Sequence, residues 1–216
     1  MNIPMRTLAA LLAAACLSTV TTAHADIALK AVTVARGLVN PWSLAFLPDG
    51  RMLVWTKTGT VYLVKNGVLQ TTPFVDVSSH VNSDGDRGLL GLAVDAGFAS
   101  NGFVYLLYTY EEGGNPNSAG AKVSVLTRVR ADPANTDVAL PGSETTILGN
   151  TTTVPCPDPG PTVNCIPSDG PSHSIGTVRF GADGKLWLGS GDGSNFGGVD
   201  NMENMRAMLR RAFDLG

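Results

Sequence analysis

The sequence predicts an all-β fold, and three observations carry that reading. An apolar run, a turn containing Asp-Gly and a second apolar run recur as one unit along the chain. Glycine and proline number 25 and 13 of 216 residues, while only 15% of residues are charged. That is the balance of a sheet protein rich in turns. A further strand pattern, Thr60-Val61-Tyr62-Leu63-Val64, runs straight into the turn Lys65-Asn66-Gly67.

The recurring unit is clearest in Ser43-Leu44-Ala45-Phe46-Leu47-Pro48-Asp49-Gly50-Arg51-Met52-Leu53-Val54. Thr177-Val178-Arg179-Phe180-Gly181-Ala182-Asp183-Gly184-Lys185-Leu186-Trp187-Leu188 repeats it closely. Gly91-Leu92-Ala93-Val94 and Phe103-Val104-Tyr105-Leu106 form a looser copy, joined by the longer turn 95–102. Asp-Gly between apolar stretches marks a hairpin, because the turn needs positive φ at the glycine. Return of the same hairpin at intervals of roughly 45 to 90 residues suggests propeller blades with insertions. A β-sandwich also alternates short strands with turns; the repeated unit favours the propeller over it.

Residues 1–25 read as a secretory signal. Arg6 supplies the positive region, Leu8 to Cys16 is a short apolar run, and Ala23-His24-Ala25 is a small-x-small cleavage site. Acylation at Cys16 is the weaker alternative, since three alanines precede it. Later apolar runs are too short for a transmembrane helix. Export to the periplasm or the medium is therefore expected. Removing the signal takes away Arg6 and no acid, so the net charge moves from −3 to −4. That balance does not suggest nucleic acid or an anionic membrane as a partner. Roughly 190 residues remain, enough for one sizeable core or part of a larger domain. Cys156 and Cys165 are then an even pair in an exported chain, which predicts a disulfide. A metal or catalytic thiol pair is the lesser reading, because no His or third Cys stands at ligand spacing.

Two stretches read as excursions from the blades: Glu111 to Lys122, rich in Gly, Asn and Pro, and Asn150 to Ser172, rich in Pro and Thr. Asn201 to Phe213 carries Met205, Met208 and Leu209 at helical spacing, with Asp200 and Glu203 placed as a capping box. Its Arg206, Arg210 and Arg211 read as a solvated face.

The candidate for chemistry is His173, in Ser172-His173-Ser174 just before a hairpin strand. At the entry to an inner propeller strand its side chain can point toward the central channel, and imidazole suits a general base. A histidine satisfied by backbone at a strand entry is the competing reading. The second candidate is Ser83-Asp84-Gly85-Asp86-Arg87-Gly88, where Asp86 and Arg87 either pair or face a ligand, or simply form a turn. As an EF-hand loop it fails, since Arg87 stands at the glycine position and Ala93 at the twelfth. Gly189 to Asn195 is glycine-rich but not a dinucleotide fingerprint, because Ser194 holds the last glycine position. Asn150-Thr151-Thr152 matches a glycosylation sequon. No serine-nucleophile elbow, HExxH or P-loop is present.

Taken in order, several segments resemble the glucose/sorbosone dehydrogenase family. They are Pro41 to Gly50, Arg87 to Val94, Asn101 to Tyr105, His173 to Gly181 and Gly191-Asp192-Gly193. The resemblance covers about residues 35 to 200 and implies the N-terminal part of a six-bladed β-propeller, about three to four blades of it. It implies PQQ held with a calcium ion over the central channel, and oxidation of an aldose at the anomeric carbon to a lactone. The family's base falls on His173. Asp86 stands where relatives commonly carry Gln, making it the cofactor-binding candidate, and Ser172 stands where an Asp often precedes the His. The family's calcium-binding backbone and its Arg, Asn and Lys contacts to PQQ belong to later blades. The chain thus reads as a truncated or frame-shifted piece with unpaired sheet edges, expected to be inactive alone. Implied partners are a sugar and an electron acceptor. A secreted propeller that binds carbohydrate or protein without redox chemistry is the alternative.

Overall fold

The computed structural model describes residues 29–156, 164–191 and 193–194. The signal sequence, the helix expected over 201–213 and Asp192 lie outside the described residues. The chain divides into two units, Met1–Val32 and Thr33–Gly216. Residues 29–32 of the first are exposed and without regular structure, and everything below concerns the second.

The described residues form three antiparallel sheets. The first runs β1 (Pro41–Phe46), β2 (Met52–Thr56), β3 (Thr60–Lys65) and β4 (Val68–Leu69), with β5 (Val75–Asp76) also pairing β3. The second runs β6 (Leu89–Val94), β7 (Phe103–Tyr110) and β8 (Lys122–Asp132), with a four-residue helix α1 (Phe98–Asn101) in the β6–β7 connection. Three short strands pair with β8 in succession: β9 (Asn135–Ala139), β10 (Thr145–Leu148) and β11 (Ile166–Ser168). The third sheet is the hairpin β12 (Ile175–Phe180) and β13 (Leu186–Ser190). All three hairpins expected from the repeated unit are present. The Lys65-Asn66-Gly67 turn forms with φ of 54° at Asn66 and 75° at Gly67, as a tight two-residue hairpin turn requires.

The strands alternate as their pleat dictates. Val104, Leu106 and Tyr108 of β7 join Leu53, Trp55, Val61 and Leu63 of the first sheet in one buried cluster. Leu107 of β7 points the other way and meets Leu126, Ile166, Ile175, Val178 and Leu188 in a second. The middle sheet is therefore apolar on both faces and covered on both, by β2 and β3 on one side and β12 and β13 on the other. A two-layer sandwich covers each sheet on one face only, so stacked sheets of this kind are propeller blades. Neighbouring sheets meet through β1 with β6, and through β12 with both β6 and β7.

One expected excursion changes character. The Pro- and Thr-rich stretch 150–172 contains β11, whose Ile166 is fully buried and pairs with Ser124. The loop expected over 111–122 is a loop, ending where Lys122 opens β8. Cys156 and Cys165 form the predicted disulfide, with Cα atoms 5.7 Å apart.

Candidate active site

Segments far apart in sequence meet where β6 and β12 begin. The loop 83–88 precedes β6, and 169–174 precedes β12. The Asp86 amide donates to the Pro171 carbonyl at 2.6 Å. Gly85, at φ +55°, lies so close that a Cβ would collide with the Pro171 carbonyl oxygen. The start of β1 reaches the same region, since Trp42 Nε1 donates to the Leu90 carbonyl at 2.9 Å.

His173 stands at φ +55°, in the left-handed region that costs a non-glycine residue roughly 1–2 kcal/mol. Its backbone is pinned from the far end of the hairpin. The Gly193 amide donates to the His173 carbonyl at 2.9 Å, and the Gly191 amide to the Ser174 carbonyl at 2.8 Å. Gly191 is required by close approach, because a Cβ there would meet the His173 carbonyl oxygen. Ser194 Oγ lies 2.6 Å from the Ser172 carbonyl, to which it donates. The His173 side chain is exposed, so it is available to a ligand rather than sealed in the core. Asp86 is exposed as well. The two residues singled out from sequence thus sit on abutting loops at one end of neighbouring inner strands.

Arg87 departs from expectation. It neither pairs with Asp86 nor faces solvent; it is 0% exposed. Its Nε donates to Ser168 Oγ at 3.1 Å, and its Nη2 to the Ser168 carbonyl at 2.6 Å and the Gly120 carbonyl at 2.8 Å. Nη1 has no hydrogen-bond partner. Burial pushes Arg87 below its ordinary value, against the opposing pull of Asp84, Glu111 and Asp169. Beside it lies a second buried polar group. Glu111 accepts from Asn82 Nδ2 at 2.9 Å, from the Gly113 amide at 3.1 Å and from the Ser118 hydroxyl, and pairs with Lys122 at 3.1 Å. Burial alone would raise its pKa, but these donors outweigh it and hold the carboxyl at about 2. Sequence reading gave Arg87 a place against Asp86, at a ligand or in a plain turn, and did not single out Glu111, since a Glu at a loop edge looks solvated.

Among the described residues no group of three or more His, Cys, Asp or Glu is placed to hold a metal ion. No helix among them is long and apolar enough to cross a membrane. What the arrangement offers is an exposed imidazole on a backbone held by the Gly191 and Gly193 amides, with the 83–88 loop bonded to Pro171 two residues away.

This chain is similar to several known proteins. A 29% identical match to the HIPL1 protein of Arabidopsis thaliana runs over 199 residues, covering 78% of this chain and 28% of that protein. An uncharacterized Synechocystis protein is 34% identical over 89 residues, 38% of this chain and 22% of that one. Among solved structures, an oxidoreductase (glucose dehydrogenase) of Thermus thermophilus superposes with a TM-score of 0.54 at 29% identity, covering 75% of this chain and 40% of that one. The PQQ-bound aldose sugar dehydrogenase of Streptomyces coelicolor gives 0.55 at 27% identity, covering 77% and 42%. The chain therefore spans less than half the length of these proteins. The sequence model of the Glucose / Sorbosone dehydrogenase family matches residues 38–152, and the chain belongs to that family.

Proposed function

We propose that this chain is part of an exported sugar dehydrogenase that oxidises an aldose at its anomeric carbon to the lactone, with His173 as the base. The observation that carries the reading is the exposed His173 at the entry to an inner strand, its backbone clamped by Gly191 and Gly193. Likeness to a PQQ-bound aldose sugar dehydrogenase supports PQQ as cofactor. When bound, PQQ supplies a two-electron acceptor for the hydride lost from the sugar C1. In this reading His173 supplies the proton acceptor, and among the described residues no group of three or more His, Cys, Asp or Glu is placed to hold a metal ion, so calcium is proposed from family resemblance alone.

In this reading the imidazole accepts the proton of the C1 hydroxyl while the C1–H bond gives up its hydrogen with the electron pair. The C1–O bond gains double-bond character and becomes the lactone carbonyl. To act as the base, the imidazole takes up the proton on a ring nitrogen that carries a free lone pair. Asp86, on the abutting loop, is proposed to contact the cofactor or the sugar. The Cys156–Cys165 disulfide supports export to an oxidising compartment.

The test is dye reduction by a panel of aldoses, with PQQ and calcium added, on the polypeptide that contains this chain. His173→Ala is expected to lower kcat by at least about 100-fold. Undiminished turnover in that variant would remove His173 from the role of base.

A further inference from the structure

The backbone at His173 is held in a conformation that an L-residue adopts only under constraint. Two constraints are visible on the hairpin side, Gly191 and Gly193. A third comes from the middle sheet. Among the described residues Arg87 is the largest fully buried side chain, and two of its three hydrogen bonds end on Ser168, 81 residues away. Arg87 Nε can only donate, so Ser168 Oγ accepts there and its own hydrogen is left for another acceptor. Ser174 Oγ lies 3.4 Å from Ser168 Oγ, and Ser174 directly follows His173. One residue before Arg87, the Asp86 amide holds the Pro171 carbonyl. The 83–88 loop thus grips the 168–174 segment at both ends of the stretch leading to the imidazole.

We infer that Arg87 is a positioning residue for His173: through Ser168 and Ser174 its buried guanidinium fixes the backbone that aims the imidazole. The inference rests on the reading of His173 as the base. It gives the buried guanidinium a purpose that packing does not. A buried cation among apolar strands has no stability advantage over a hydrophobic side chain of similar volume, yet here it joins three segments at the candidate site. A planar guanidinium does this from fixed, separated nitrogens, whereas an ammonium gathers its donors on one atom.

The test is amide hydrogen exchange on the full 216-residue chain carrying Arg87→Lys. Exchange at residues 172–175 is expected to rise at least about tenfold, with β2 and β3 within about twofold of wild type. An equal rise everywhere would reduce Arg87 to a general stabiliser, and no rise at 172–175 would break the link; either result overturns the proposal. Should Arg87→Lys fail to fold, Ser174→Ala removes only the last hydroxyl and should raise exchange at the same residues about threefold; unchanged exchange there is equally fatal. In the dye-reduction assay of the containing polypeptide, Arg87→Lys should lower kcat about tenfold with KM within about twofold. The two readings separate cleanly. Full activity in His173→Ala defeats the base assignment, whereas the exchange pattern alone decides whether Arg87 holds the segment.

Discussion

Where β6 and β12 begin, the loops are joined by buried polar groups; at the opposite ends of the sheets, the turns are joined by ion pairs near the surface. Glu111, 4% exposed, collects donors from Asn82, Ser118, Gly113 and Lys122, and Arg87 beside it is wholly buried. At the other end, Asp137 pairs with Arg51 at 2.6 Å and with Lys65 at 2.7 Å, and Arg51 also pairs with Asp49. The Lys65 and Asp49 side chains there are 45% and 51% exposed. Both ends bring carboxylates together with Arg and Lys, but they differ in exposure. A buried charge has no alternative partner once its contacts are lost, so it commits the loops around it to one arrangement. A surface pair can trade its partner for water at little cost. The end that carries His173 is the committed one.

The largest effect that follows is at Glu111. Glu111→Ala leaves Asn82 Nδ2 and the Lys122 ammonium without their shared acceptor, and should lower unfolding stability by about 3–5 kcal/mol, read from urea unfolding near neutral pH. A loss below about 1 kcal/mol would mean that water enters this end as freely as the other.

The next effect is the pH dependence of the same group. The folded carboxyl sits at about 2 against an ordinary 4.5. Its stabilisation is therefore complete above about pH 4.5 and is lost as pH falls toward 2. The difference sets an upper limit of roughly 3 kcal/mol. Glu111→Gln keeps the shape and does not titrate. The stability gap between wild type and Glu111→Gln, measured by urea midpoint, should therefore shrink steadily between pH 4.5 and pH 2. A gap that stays constant over that window would show that the donors around Glu111 do not favour its ionised form.

Much of the fold was legible in the sequence because the hairpins are local. Asp49-Gly50 and Asp183-Gly184 dictate turns from neighbouring residues alone, and apolar runs on either side set the strands. The strands β9, β10 and β11 were not legible. They are three to five residues long, and what makes them strands is the free edge of β8, which sequence does not display. Ile166 and Ser168 sit in a stretch whose Pro and Thr content reads as loop, yet pairing with Ser124 and Lys122 draws them into the sheet. The site divides in the same way. His173 stood out because imidazole is rare and its motif is shared with a family, and the Asp86 loop stood out by its glycines and charges, with its place beside a cofactor implied by the resemblance. Arg87 was misjudged because its contacts lie 33 and 81 residues away, beyond the reach of any local pattern.

The smallest expected effect completes the contrast. Asp137→Asn removes the charge that Lys65 and Arg51 share, and the Lys65 hydrogen bond is the main reason the Asp137 carboxyl sits below its ordinary value. Arg51 keeps its second partner, with Nη2 2.7 Å from Asp49, and its Nη1 keeps the Thr136 carbonyl at 2.8 Å. Lys65, nearly half exposed, is rehydrated. The stability change should therefore stay within about 1 kcal/mol, and it should fade further at high salt, where exposed charges are screened. The same salt series should leave the effect of Glu111→Ala nearly unchanged, because buried pairs are screened much less than exposed ones. If Asp137→Asn costs as much as Glu111→Ala, or if salt erases both effects alike, then burial does not separate the two ends. The rigidity claimed for the backbone around His173 would then lose its physical basis.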